Sequence, residues 1–173
     1  IRQVQKLYEN QSGRKISLPY GVEALRCYEG VKLQKKTEEV SERTEEVQEL
    51  NMEGTTSWVN ESFRTRIFPY SGEKILEKKY TKWFDCDKIN CELSVRTRRS
   101  GDYMTVNQSG GRKKLTRCMS DDKIPGEIRQ EIPLVAAKDE ILWIVGGRIS
   151  ERYKITSQTE KVLEITYQGG NLE

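Results

Sequence analysis

The sequence predicts an α+β chain of small mixed sheets with short helices. Two observations point to that class. Apolar and polar residues alternate in brief runs, as in Leu93-Ser-Val-Arg-Thr-Arg98, and Gly, Pro, Asn or Asp residues punctuate those runs. The composition is also lean: 35% of the 173 residues are hydrophobic and 33% are charged, enough for one ordinary domain or two small ones.

Residues 1–10 read as the back half of a helix, with Val4, Leu7 and Tyr8 on one face and Gly13 as its stop. Lys15 to Pro19 reads as a strand, Tyr20-Gly21 as a turn, and Val22 to Tyr28 as the returning strand, with Val31 and Leu33 still extended. Thr-Glu-Glu-Val then occurs at 37–40 and again at 44–47. Val40, Val47 and Leu50 would share one helix face, but three apolar positions make a thin stripe. A mobile acidic surface loop is the better reading of 37–53. Ser62 to Tyr70 alternates as a strand up to the Ser71-Gly72 turn, and Lys78 to Trp83, basic and aromatic, reads as a link between two modules. Leu93, Val95 and Thr97 point one way while Ser94, Arg96 and Arg98 point the other. That sets the two arginines about 7 Å apart on one pleat face, a spacing similar to adjacent phosphates.

Gly101 and Asp102 hold a turn, Tyr103 to Val106 is a short strand, and Gln108 to Lys114 is a flexible basic loop. Leu115 to Met119 reads as a short helix, and Asp121-Asp122 cap one or two further helical turns over Gly126 to Glu131, from which Arg129 projects. Leu134–Ala137, Ile141–Val145, Arg152–Thr156 and Val162–Tyr167 complete a sheet. Trp143 and Tyr153 lie inside apolar strands and read as core, not as base-stacking surface; Trp58, Phe63 and Phe68 read as a satellite core.

Several function classes fall away. The longest apolar run, Ile141 to Val145, is too short for a bilayer that needs roughly 20 residues. Histidine is absent, which removes Ser-His-Asp and Cys-His catalysis and His-ligated zinc. Cys86 and Cys91 are too far apart for a zinc knuckle and have no second pair, so Cys27, Cys86, Cys91 and Cys118 read as reduced thiols of a cytosolic protein. The first residue is Ile1, and the expectation is a piece of something larger. Net charge is only +3, yet seven glutamates against one arginine give residues 37–53 a charge of −6 and leave +9 for the rest. Residues 96–129 carry nine cations against four anions, the footprint of a polyanion-binding face.

The residues then fall in a recognisable order. Leu93-Ser-Val-Arg96-Thr-Arg98-Arg99-Ser-Gly101-Asp102 is followed by Gly111-Arg-Lys113-Lys114-Leu115, then by Lys123-Ile124-Pro125, Arg129 and Ile132-Pro133-Leu134. Ile141-Leu-Trp143-Ile-Val-Gly146-Gly147-Arg148-Ile149-Ser150 and Tyr153-Lys-Ile-Thr156 close the block. Phe84 to Tyr167 thereby resembles the C-terminal domain of the bacterial tRNA(Ile)-lysidine synthases, and Ser12 to Gly21 resembles the family's segment just after its catalytic domain.

The resemblance implies a C-terminal module similar to one in phenylalanyl-tRNA synthetase, gripping tRNA near the acceptor stem. It also implies a ligase that uses ATP, with Mg, to adenylate the wobble cytidine of an isoleucine tRNA before a free lysine displaces AMP. That chemistry belongs to an N-terminal pyrophosphatase-loop domain with a Ser-Gly-Gly-x-Asp-Ser motif. Here Ser109-Gly110-Gly111 is followed by Arg112 and then Lys113-Lys114 where Asp-Ser should stand, so no catalytic residue and no cofactor is expected in this chain.

The expected RNA contacts are Arg96, Arg98, Lys113, Lys114, Arg117 and Arg129, with Arg99 and Arg148 behind them. Residues 1–82 are expected to form a linker and middle module and 83–173 the tRNA-recognition domain. Expected partners are the isoleucine tRNA and the protein's own catalytic domain, in the cytoplasm, with room for a homodimer. The alternative is a scaffold domain packing on a catalytic partner.

Overall fold

The computed structural model describes residues 2–9, 11, 14–35, 46–75 and 77–169. They form two compact units, residues 1–44 with 125–128, and residues 45–124 with 129–173.

The first unit opens with α1 (Arg2–Tyr8), followed by β1 (Lys15–Leu18), β2 (Val22–Cys27) and β3 (Gly30–Lys35) in an antiparallel meander. Leu7 of α1 is buried with Ala24 and Leu25 of β2. Tyr8, expected on the same inward face, is instead 59% exposed, and the Arg26 guanidinium lies 4.8 Å from its ring centre. Between β1 and β2 the chain turns through Tyr20, which takes a φ of 65° and is fully exposed.

The second unit holds β4 (Gln48–Glu49), β5 (Gly54–Trp58), β6 (Glu61–Pro69), β7 (Thr81–Asp85), β8 (Ser94–Arg96), β9 (Tyr103–Thr105) and β10 (Arg112–Lys114). After α2 (Leu115–Asp121) come β11 (Leu134–Ala137), β12 (Glu140–Ile144) and β13 (Lys161–Gln168). Six strands pair in the order β10-β9-β12-β11-β8-β4, with β9 and β12 parallel, and four in the order β5-β6-β13-β7. The α+β class of small mixed sheets with short helices therefore holds.

The six-stranded sheet is buried on both faces. Val95, Val135, Leu142 and Trp143 share one core with Phe63, Phe84, Leu163 and Ile165 of the four-stranded sheet. Leu134, Ala136, Ile141 and Ile144 form a second core with Leu115, Cys118 and Met119 of α2. A register shift between Val135 and Ala136 lets the neighbours Leu142 and Trp143 enter the same core, as a bulge does.

Several expectations are corrected. Residues 78–83 are no link between modules: Thr81–Asp85 pairs with β13 because Phe84 is fully buried there, so the break falls near residue 45 and not at 82/83. Residues 37–45 of the acidic stretch lie outside the described residues, but part of its tail is paired and packed. Gln48–Glu49 pairs with β8, and Leu50 is buried. Residues 126–131 make turns, not a helix, and 152–156 contribute only to a single 3-10 turn at Glu151–Tyr153. The basic stretch 108–114 ends in a strand, β10. Trp58, Phe63, Trp143 and Tyr153 are core residues as read, whereas Phe68 lies half-buried, edge-on to Trp83 with ring centres 5.1 Å apart.

Candidate nucleic-acid interface

The site grows from the end of β8. Arg96 ends that strand and is 2% exposed, with its guanidinium gripping the Asp102 carboxylate through two hydrogen bonds of 2.9 and 2.7 Å. The same fork donates to the carbonyls of Thr97 at 3.0 Å and Lys138 at 2.7 Å. Asp102 accepts in addition from the backbone N–H of Arg99 at 2.7 Å, and its carbonyl accepts from Leu115 N–H at 2.9 Å, at the start of α2. Tyr103 N–H donates to the Asp139 carbonyl at 3.0 Å. One buried ion pair thus ties together the exit of β8, the 99–102 turn, the first turn of α2 and the β11–β12 turn. A buried pair is tolerable when the remaining donors find acceptors, as here. Arg96 is therefore corrected from a phosphate contact to an internal strut, and Asp102 holds the turn as expected.

The hairpin β9–β10 presents the next cations. Arg112 pairs with Thr105, Lys113 with Met104 and Lys114 with Tyr103. Met104 belongs to the core under α2, so Lys113 points toward the helix, where its ammonium pairs with Asp121 and holds that carboxyl below the usual carboxylate range. Arg112 and Lys114 stand on the opposite pleat face, both exposed. The connecting loop is ordered, not flexible: Asn107 Oδ1 accepts from Gly111 N–H at 2.7 Å, and Val106 N–H donates to the Gly111 carbonyl at 2.8 Å. A Cβ at position 111 would come within 2.6 Å of the Asn107 side-chain amide, which would have to turn aside.

The other expected contacts divide. Arg117, on α2, is exposed. Arg98 is half-buried, with its guanidinium beside the Gln130 side-chain amide. Arg129 is held inward by the Ile124 carbonyl at 2.8 Å and Ser120 Oγ at 3.0 Å. Arg148 forms a two-pronged pair with Asp122, which pushes its pKa up further. The Arg99 side chain is exposed at the 99–102 turn. Among the exposed cations that sequence reasoning left out of the expected contacts are Arg112 and Lys138. Lys138 takes a φ of 57° in the two-residue turn between β11 and β12, a hairpin signal hidden because neither residue is glycine.

Among the described residues no group of three or more Cys, Asp or Glu side chains is placed to hold a metal. All four cysteines are free, and burial pushes the Cys86 and Cys118 thiols up, away from reactivity. No helix among the described residues is long and apolar enough to cross a membrane. A cleft of about 590 Å³ lies between Trp83 and Lys82 on one side and Arg148 and Lys154 on another. The last two are already paired, with Asp122 and Glu151. What the arrangement offers chemically, among the described residues, is a set of exposed cations beside others held in ion pairs.

Comparison with known proteins agrees with that picture. A family model described as the TilS substrate C-terminal domain matches residues 93–165. The chain is 36% identical over 168 residues to a tRNA(Ile)-lysidine synthase of Caldanaerobacter subterraneus subsp. tengcongensis, covering 96% of this chain and 36% of that protein. A tRNA(Ile)-lysidine synthase of Clostridium tetani is 31% identical over 172 residues, covering 98% of this chain and 37% of that protein. A solved structure titled as the crystal structure of the TILS C-terminal domain superposes with a TM-score of 0.60 at 26% identity, over 73% of this chain and 98% of that one. The chain spans little more than a third of the length of the curated relatives it matches.

Proposed function

The chain carries a TilS substrate C-terminal domain in residues 93–165, and from that premise we propose that it is the tRNA-gripping region of an ATP-dependent ligase that makes lysidine at the wobble cytidine of an isoleucine tRNA. The observation that best supports this reading is the set of exposed cations Arg112, Lys114, Arg117 and Lys138, carried by segments that the buried Arg96–Asp102 pair ties together. Duplex RNA hides its base edges in a deep, narrow groove, so recognition falls on phosphates, 2′-hydroxyls and shape. Cations fixed by a rigid support suit that task, because little side-chain and loop freedom is lost on binding. On this reading the steps that use ATP, Mg and lysine belong to residues beyond those of this chain, and the whole protein acts in the cytoplasm.

The test is a titration of the full chain with an isoleucine tRNA transcript across a salt series. Four cations on phosphates should give a slope of log affinity against log salt of about −3, and no ATP turnover is expected. Binding no tighter than that of serum albumin at low salt would overturn the reading.

A second reading, a scaffold that packs on its own catalytic domain, has one observation in its favour. Tyr20, Tyr28 and Leu33 of the first unit are 100%, 62% and 61% exposed. A pull-down between this chain and the catalytic half, with and without tRNA, separates the two. Capture without tRNA supports docking, and capture only with tRNA supports the RNA reading.

A further inference from the structure

Among the described residues five cations lie over aromatic rings, and four of those contacts involve arginine. Three of the four arginines are also held by oxygen acceptors. Arg26 bonds to backbone carbonyls, Arg66 to Glu164 and Arg152 to Glu140. Arg112 differs. Its guanidinium lies 4.6 Å from the centre of the Tyr103 ring, it is exposed, and among the described residues its five donors meet no protein acceptor. The ring beneath it is only partly buried. Directly across the hairpin from Tyr103, on the same pleat face, stands the exposed Lys114.

The three side chains are neighbours by register. Tyr103 and Lys114 are a cross-strand pair and Arg112 is the diagonal neighbour, within roughly 7–8 Å. An aromatic face, a planar guanidinium and a free ammonium are the parts that hold an unpaired nucleotide. The planes stack on the base, and the ammonium meets the adjoining phosphate. A duplex, whose bases are already stacked on one another, offers the planes nothing.

Resting on the RNA reading above, we propose that Tyr103, Arg112 and Lys114 form a stacking site for one unpaired nucleotide of the bound RNA. Its task differs from that of the phosphate-gripping cations: it reads the presence of a free base face. Arg112 either stays on the ring, so that the base stacks on the guanidinium with Tyr103 beneath it, or swings to the phosphate and leaves the ring face to the base.

The experiment compares the full chain on two probes, a blunt-ended RNA duplex of two separate strands and the same duplex carrying a four-nucleotide single-stranded 3′ extension. The unsubstituted chain should prefer the extended probe. Tyr103→Leu should weaken binding to that probe by about fivefold to tenfold, leave the blunt probe unchanged and leave the salt slope unchanged. Tyr103→Trp should restore the preference, and Arg112→Lys, which keeps the charge and loses the plane, should reduce it. Equal affinity of the unsubstituted chain for both probes would overturn the stacking site, as would a Tyr103→Leu variant that keeps the preference or loses both probes equally. Failure to bind either probe would overturn the RNA reading itself.

Discussion

Two neighbouring stretches look alike as sequence. Residues 96–99 carry three arginines, and residues 112–117 carry two arginines and two lysines. The fold uses them in opposite ways. Arg96 disappears into a buried ion pair and Arg98 turns toward Gln130, whereas Arg112, Lys114 and Arg117 remain at the surface. The difference lies in what stands within reach. Arg96 has a carboxylate six residues on, returned to it by the Gly101 turn, while the hairpin cations face an acid on one side only, Asp121 on α2. A count of charges therefore overstates a binding face wherever a turn brings an acceptor back.

The largest test of that contrast is removal of the strut. Arg96→Met leaves Asp102 charged, buried and without its guanidinium, and should cost about 3–5 kcal/mol of stability in urea unfolding. Replacing both partners by apolar residues should cost much less. A single substitution that costs under about 1 kcal/mol would place Arg96 among ordinary surface arginines after all.

The next effect is an alkaline one. Burial, with Glu140 beside it, pushes Tyr153 up to about 12. A raised folded-state value means that the stabilisation is complete below the unfolded value near 10 and is lost as pH climbs through the folded one. Stability should therefore decline between about pH 10 and 12, and Tyr153→Phe should flatten that decline. An unchanged pH profile would mean that Tyr153 is not held in this way.

Smaller effects separate the hairpin's own cations. Lys114→Ala and Arg117→Ala should each reduce the salt slope of tRNA binding by about 0.7–0.9 with little change in stability. Lys113→Ala, which removes an exposed pair with Asp121, should change stability by less than about 0.5 kcal/mol and leave the slope nearly intact. If Lys113 proved to matter as much as Lys114, the pleat-face argument would fail.

Much of the fold was legible because alternation survives where a strand buries one face. β1, β6 and β13 follow it, β11 shows instead as a short apolar run buried on both faces, and α2 shows its buried Leu115, Cys118 and Met119. β5 and β10 were not legible as strands. Gly54-Thr-Thr-Ser-Trp58 buries one threonine, whose hydroxyl accepts from Asn51 N–H at 2.9 Å, and Arg112-Lys113-Lys114 has no apolar residue at all. β7 was concealed by Lys82 and by the Lys78-Lys79 pair just before it. That Lys114 and Arg117 lie exposed was readable from charge alone. The fate of Arg96 was not, because its partner Asp102 was read as a turn residue only. An arginine and an aspartate flanking a glycine turn is the signal that could have paired them.

The ordered Asn107–Gly111 loop has a consequence for how this surface could change. In a paired strand, which residues face out depends only on whether their position is odd or even. Inserting one residue between Asn107 and Gly111 would rotate β10 by half a period, turning Lys113 outward and aiming Arg112 and Lys114 at α2 and its apolar floor. The length of the connection over residues 106–111 thus works as a selector switch, choosing which of three consecutive cations stand on the outward face.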